Sequence, residues 1–566
     1  MNKINLAKEY FEKAIIFYKK KNYQESIRLF ETAELYAPES MPLLENLSKA
    51  YLSTQQISKA ITKLKLMISL EKEGNEIAYK LLFEIFFRLE DYEEIKKLLI
   101  KVKGKNKISA ELELKARLFY PRFFNSLEES KTVRKHFENE INDMVNNKDV
   151  PKLKISETIL KPPNFELYFD GHNNFLINKR LTRLYKKIYP ELYSVPKSND
   201  YKKSLVTENS KINIGFISEF FTDHSIMKLY QGIIFNINKK LFNVFVFHSD
   251  KTKNGNRFKQ IMESIVLYDY ENIILPKDFY DKIEIIRSKK LDILFYTDVH
   301  LSSNLYYLTF VKLARFHITS IGHGDTTGND KMNFFLSSKY LEKDGYEDRY
   351  SEKVLLTKLL PIYYYKPNVS NILDKNQLSK KNIYSCPQSA FKILPDFDIA
   401  VKKILEIDQK AVVVFIKDRN EHLNEKLFNR FKKLTPTNIN RIKFIDRLKP
   451  EEYINHCGSA SVLLSPFWVG SGNSFMDSMY YGTPTISKPS SFSRSNWVYA
   501  GYKQMKIENP PIAQNIDDYV SIAIELANSK DLYDLKNHYR EQANKYLFEN
   551  IKAIEEIENI FLDILN

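Results

Sequence analysis

The sequence predicts an α + α/β protein, with helical repeats at its N-terminus followed by two open α/β sheets. Three observations carry this. Helical patterns without any strand signal fill about the first hundred residues. A short apolar run ending in small residues opens at Ile212, and a second series of such runs opens near residue 383. With 566 residues the chain is too long for one hydrophobic core.

In the first region, Asn22–Ile27 followed by Phe30, Ala33 and Pro38 recurs about 34 residues later as Ser58, Lys59, Ala60, Ile61, Leu64 and Met67. The pattern returns at Asp91–Ile95, one residue late. The first helices of the pairs correspond as well, Ala14 and Phe17 matching Ser48 and Tyr51. A period near 34 is that of tetratricopeptide repeats, whose helix pairs bury their apolar stripes against neighbouring pairs; an ordinary helical bundle is the plainer alternative. Residues 107–205 stay mainly helical, punctuated by Pro151, Pro162, Pro163 and Pro196, and Phe165–Phe169 alternates like a short strand. Ile212–Ser218, Val244–Phe247, Ile293–Tyr296 and Ile318–Ile321 then read as buried parallel strands. Ile383–Cys386, Ala411–Ile416, Ile442–Ile445, Val462–Leu464 and Pro484–Ile486 form the second set. The expected division is repeats over 1–106, a helical extension over 107–205, a first Rossmann-like lobe over 206–375 and a second over 376–566. The second ends in one long helix over about 531–565. A cleft between the lobes follows.

Composition narrows the function. The net charge is +15, but the basic residues are mostly lysines scattered among Glu and Asp, with no basic arm or zinc-finger spacing, so nucleic-acid binding is not expected. Cys386 and Cys457 are the only cysteines and lie far apart, which excludes a disulfide framework. No apolar stretch reaches the roughly 18 residues of a membrane span, and the charged helical N-terminus has no signal core. A cytoplasmic protein without a transmembrane segment is the expectation.

Ligands of open α/β sheets bind beyond the carboxyl ends of strands, so the loops there hold the candidates. Ser465–Ser474 contains Gly470, Gly472, Asn473 and Ser474 and leads into a helix; small residues and free helix amides suit a diphosphate, though Asn473 or Ser474 also serves as a plain N-cap. Asp477, one turn further, suits a ribose hydroxyl or simply a first helical turn. His224, after the first strand, and His323, in Gly322–Gly328, are candidate proton-transfer or phosphate-binding groups, with structural and turn roles as alternatives. Asp396 and Asp398 form a DxD, but they follow Pro395 at a helix start, so capping is the expected role and no catalytic metal is predicted.

Together these segments resemble the bacterial O-linked N-acetylglucosamine transferase (SPINDLY-like) family, in which tetratricopeptide repeats precede a GT-B catalytic domain. Four blocks over about residues 160–520 carry the likeness: Ile212–Ser225; Asp292–Asp298 through Gly322–Gly328 to Tyr350–Lys353; Cys386–Lys392 with Pro395–Asp398; and Gly470–Asp477 with Gly482–Pro484. The resemblance implies an inverting, metal-independent transferase without a cofactor, moving a sugar, N-acetylglucosamine from UDP-N-acetylglucosamine, onto a protein recruited by the repeats. It implies that Gln388 and Lys392 contact the donor, Lys392 stabilising the leaving diphosphate. Asn473 and Ser474 would cradle phosphate, Asp477 would hold the ribose, and His224 would be the cleft histidine. Departures from the family pattern stand at Gly324, Met332, Asn333, Gly472 and Tyr453, the last two where the animal enzymes place histidines. They leave open UDP-glucose or GDP-fucose as donor, a glycan or lipid-linked acceptor, and a catalytically degenerate repeat scaffold.

Overall fold

A computed structural model describes residues 3–70, 76–102, 108–193, 211–222, 224–249, 270–370 and 382–566. Pro196 and Asp223 of the motifs above lie outside the described residues. The chain forms two compact units, Met1–Pro121 and Arg122–Asn566, each described by itself.

The first unit is built from helix pairs: α1 (Lys3–Lys19) with α2 (Tyr23–Glu34), α3 (Met41–Ser53) with α4 (Ile57–Leu70), and α5 (Glu76–Leu89) with α6 (Tyr92–Val102), followed by α7 (Ala110–Arg117). Each pair turns on a residue in the left-handed region, Lys21, Gln55 and Glu90. The next amide reaches back into the first helix, Asn22 to Phe17 O at 3.0 Å, Gln56 to Tyr51 O at 2.9 Å and Asp91 to Phe86 O at 3.0 Å. These turns lie 34 and then 35 positions apart, which is why the third repeat reads one residue late. The aromatic position recurs as Phe17, Tyr51 and Phe86, whereas the small position, Ala14 and Ser48, becomes the buried Phe83. That exchange hides the third repeat from a pattern of small residues.

The second unit opens with α8 (Leu127–Asn146), α9 (Asn164–Leu167) and α10 (Phe175–Ile188). The strand expected over Phe165–Phe169 is instead a single helical turn after Pro163. Its aromatic rings pack against Phe391 and His323 and enter no ladder. Two sheets follow, every described pairing parallel. The first has the order β3-β2-β1-β4-β5-β6-β7, from β1 (Ile212–Ser218), β2 (Phe242–Ser249), β3 (Glu271–Leu275), β4 (Ile293–Tyr296), β5 (Phe316–Ser320), β6 (Phe334–Ser338) and β7 (Lys353–Thr357). The second has the order β10-β9-β8-β11-β12, from β8 (Asn382–Cys386), β9 (Ala411–Ile416), β10 (Ile442–Ile445), β11 (Val462–Leu464) and β12 (Thr485–Ile486). β3, β6 and β7 escape the sequence reading because β3 is an exposed edge and the other two carry Ser, Lys and Thr among their apolar residues.

The long final helix is not continuous. It breaks between Leu532–Tyr546 and Ile551–Leu565, where Glu549 is left-handed and its amide bonds Tyr364 O at 2.9 Å. The last helix then returns to the first sheet: Phe561 packs on Phe242 and Phe295, and Arg315 donates to Leu565 O at 3.0 Å. Apolar residues of both lobes form one cluster there, so the lobes share a core.

Candidate active site

A cavity of about 570 Å³ opens between the sheets, at the carboxyl ends of β1, β5, β8 and β11. His224, His323, Gln388, Lys392, Tyr453, Gly472, Asn473 and Ser474 all line it. The ninth candidate, Asp477, does not.

β8 ends at Cys386, and the chain turns through Gln388 into a short 3-10 segment, Ala390–Lys392. Lys392 Nζ donates to Gln388 Oε1 at 2.9 Å, while Gln388 Nε2 donates to Ser471 Oγ at 3.1 Å and to Ser474 Oγ. The amide orientation follows from this network, since only its oxygen can receive an ammonium. Gln388 thereby ties Lys392 of one loop to the helix Asn473–Ser478 of the next. Burial lowers the Lys392 ammonium to a pKa of about 8. Among the described residues no carboxylate pairs with it, and no Asp or Glu lines the cavity. Asn473 Oδ1 is buried and has no partner among the described residues.

His224 caps α11 (Ser225–Asn236), its Nδ1 accepting from the Ile226 amide at 3.3 Å. Burial, with Arg419 nearby, lowers its pKa to about 4, so the ring is neutral at pH 7. With Nδ1 accepting, the proton sits on Nε2, and the ring offers the cavity a donor instead of a base. His323 lies against Tyr168, ring centroids 4.0 Å apart, and its Nδ1 meets Nδ1 of His300 at 3.0 Å. Burial holds its pKa well below the usual histidine value. His300 went unnoticed in the sequence, since only its contact with His323, 23 positions away, brings it to the site. Gly322 is required by its packing: a Cβ there would stand 2.0 Å from Thr297 O. Gly322→Ala is expected to cost about 3 kcal/mol, the upper end for overpacking, as read by urea denaturation.

Aromatic rings packed on these histidines or on one another line the cavity as well, also missed: Phe165, Tyr168 and Phe169 from the extension and Phe220 from the first lobe, with Phe391 from the second packed on Phe165 and Phe169. The burial of Tyr453 pushes its hydroxyl well above the usual tyrosine range, so it is a neutral lining group. Asp477, 3% exposed, accepts from Lys228 Nζ at 2.7 Å and from Tyr364 Oη at 2.8 Å, so both its carboxylate oxygens are engaged. The DxD carboxylates diverge: Asp396 accepts from Trp468 Nε1 at 2.8 Å and Asp398 pairs with Arg430.

No protein-family model matches the chain. A probable UDP-N-acetylglucosamine–peptide N-acetylglucosaminyltransferase of Arabidopsis thaliana, SEC, is 22% identical over 370 residues, covering 63% of this chain and 37% of the plant protein. The fold matches an O-GlcNAc transferase mutant from Thermobaculum terrenum at TM-score 0.66 over 100% of this chain and 98% of that one, with 13% identity. The chain is thus similar in sequence to one O-linked N-acetylglucosamine transferase and shares the fold of another. It spans about a third of the length of its plant relative, and its likeness to the Thermobaculum protein covers the helical repeats and both Rossmann-like lobes of a GT-B fold. A glycosyltransferase from Rickettsia africae matches more distantly, at TM-score 0.42 and 10% identity over 63% of this chain and 99% of that one. Among the described residues, no helix is long and apolar enough to cross a membrane.

Proposed function

We propose that this chain is a glycosyltransferase that takes its sugar from a UDP-linked donor, N-acetylglucosamine being the sugar its relatives suggest. One observation carries the reading: a desolvated lysine, Lys392, has no carboxylate partner among the described residues and stands in a cavity whose described lining bears no acid. A diphosphate supplies the missing charge. As the bond from the anomeric carbon to the leaving diphosphate lengthens, negative charge grows on the phosphate oxygens, and a preorganised ammonium in a dry site gains more with that charge than water could. Gln388 fixes the ammonium, and Ser474 lies on the same network.

The acceptor hydroxyl attacks the anomeric carbon from the face opposite the diphosphate, giving inversion, and protein cations take the part that a metal plays elsewhere. His224, neutral and with its proton on Nε2, orients an oxygen by donating to it. The helical repeats recruit a protein acceptor. An acceptor sugar is the alternative that one observation favours, because the aromatic wall of Phe165, Phe169 and Phe391 offers rings on which a pyranose face packs.

Thermal-shift titration without metal tests the donor. UDP and UDP-N-acetylglucosamine at about 100 times Kd are expected to add about 2.7 kcal/mol of stability, with GDP-fucose giving no shift. A shift with GDP alone would reassign the nucleotide, and none with any of them would leave a repeat scaffold. Transfer of radiolabelled sugar to protein, against transfer to glycan, decides the acceptor.

A further inference from the structure

Two helices bring their first residues into the cavity from opposite lobes. His224 and Ser225 begin α11, and Asn473 and Ser474 begin the helix Asn473–Ser478. Four positions after His224 stands Lys228, and four after Asn473 stands Asp477; positions four apart share a helix face. The two side chains meet at 2.7 Å, Asp477 buried and Lys228 partly exposed. Tyr364, on the segment after β7, holds the second carboxylate oxygen at 2.8 Å.

We infer that Lys228 is a positioning residue of the cleft, whose ion pair with Asp477 sets the starts of the two helices against each other and cancels a carboxylate charge one turn behind the lining residues. The contact spans 249 positions of sequence and joins elements of different lobes, so it constrains the separation of the cavity walls directly. Its two ends are unequal. Without Lys228, Asp477 is a buried carboxylate lacking its cation, and its charge repels an incoming diphosphate. With asparagine at 477 the amide oxygen still accepts from Lys228, which remains partly in water, so the contact survives and no buried charge is left unpaired.

This inference rests on the proposed donor cleft only for what a pyrophosphate titration reads. In the full chain, K228M is expected to bind inorganic pyrophosphate about tenfold more weakly, with K228R near wild type, D477N within about threefold, and K228M/D477N recovering most of the loss. No recovery in the double variant would overturn the role of charge. Hydrogen exchange over residues 224–236 and 470–479 reads the tether independently of any ligand. Faster exchange in both segments on K228M is expected, and unchanged exchange in both would overturn the tether. A wild-type protein that takes no pyrophosphate would defeat the donor reading, while the exchange experiment still decides the tether.

Discussion

Lys392→Met is expected to abolish sugar transfer while making the protein more stable. The two effects share one cause. Holding the ammonium pKa at about 8 instead of 10.5 costs the folded state about 3 kcal/mol at neutral pH. Methionine fills the same space without a charge, and forfeits only the bond to Gln388, so a net gain of about 2 kcal/mol is expected. The sign with pH is definite. Between about 8 and 10.5 the unfolded chain keeps a proton that the folded chain has lost, so wild-type stability rises across that window and the advantage of the variant fades. Urea denaturation at pH 7 and pH 10 reads this. Equal stability at both would mean the ammonium is not desolvated, and retained transfer would remove Lys392 from the chemistry. Diphosphate binding should also weaken above pH 8 in the wild type, as the ammonium deprotonates, and stay flat in the variant.

Arg430→Met is expected to cost about 3–5 kcal/mol and to weaken donor binding as well. Arg430 and Asp398 are both buried, and the guanidinium grips the carboxylate through Nε at 2.5 Å and Nη2 at 2.9 Å. Its remaining donors hold Phe124 O and Ile393 O, each at 2.7 Å. Ile393 follows Lys392 directly, so the same arginine anchors the turn that aims the lysine. Burial already raises the Asp398 carboxyl to about 6 against the pull of Arg430. Without the arginine it rises further and folds protonated, so the deficit of the variant should be smaller near pH 5, where the lost bonds to Phe124 O and Ile393 O remain, and grow toward pH 8. Paired denaturation curves at those two values check the slope. A pH-independent deficit would place the cost in lost packing on Phe123, which the guanidinium covers at 4.7 Å.

Legibility in the sequence followed exposure and distance along the chain. Ile212–Ser218, Ile293–Tyr296 and Val462–Leu464 could be read because strands covered on both faces are continuously apolar. Glu271–Leu275 could not, being an exposed edge. Phe165–Phe169 misled, because alternating aromatic residues look like a strand when the surface they pack on is Phe391, more than two hundred positions away. Of the site residues, the loop from Gly470 to Ser474 announced itself by its small residues, whereas nothing local marks Gln388 or Lys392. Resemblance alone pointed to them. His300 and Lys228 were invisible, since each matters through a partner remote in sequence, His323 and Asp477.

By itself the sequence determined the order of the parts, helical repeats and then two α/β lobes, and the loops that face the cleft. Those properties are periodic and local, written in which residues recur and where small ones end a strand. Tertiary structure alone decided that burial lowers the Lys392 ammonium with no carboxylate partner among the described residues, that His224 Nδ1 accepts from the Ile226 amide, and that Asp477 answers to Lys228 and Tyr364. Charge state and pairing depend on which atoms exclude water around a group, and those atoms come from segments that only folding brings together.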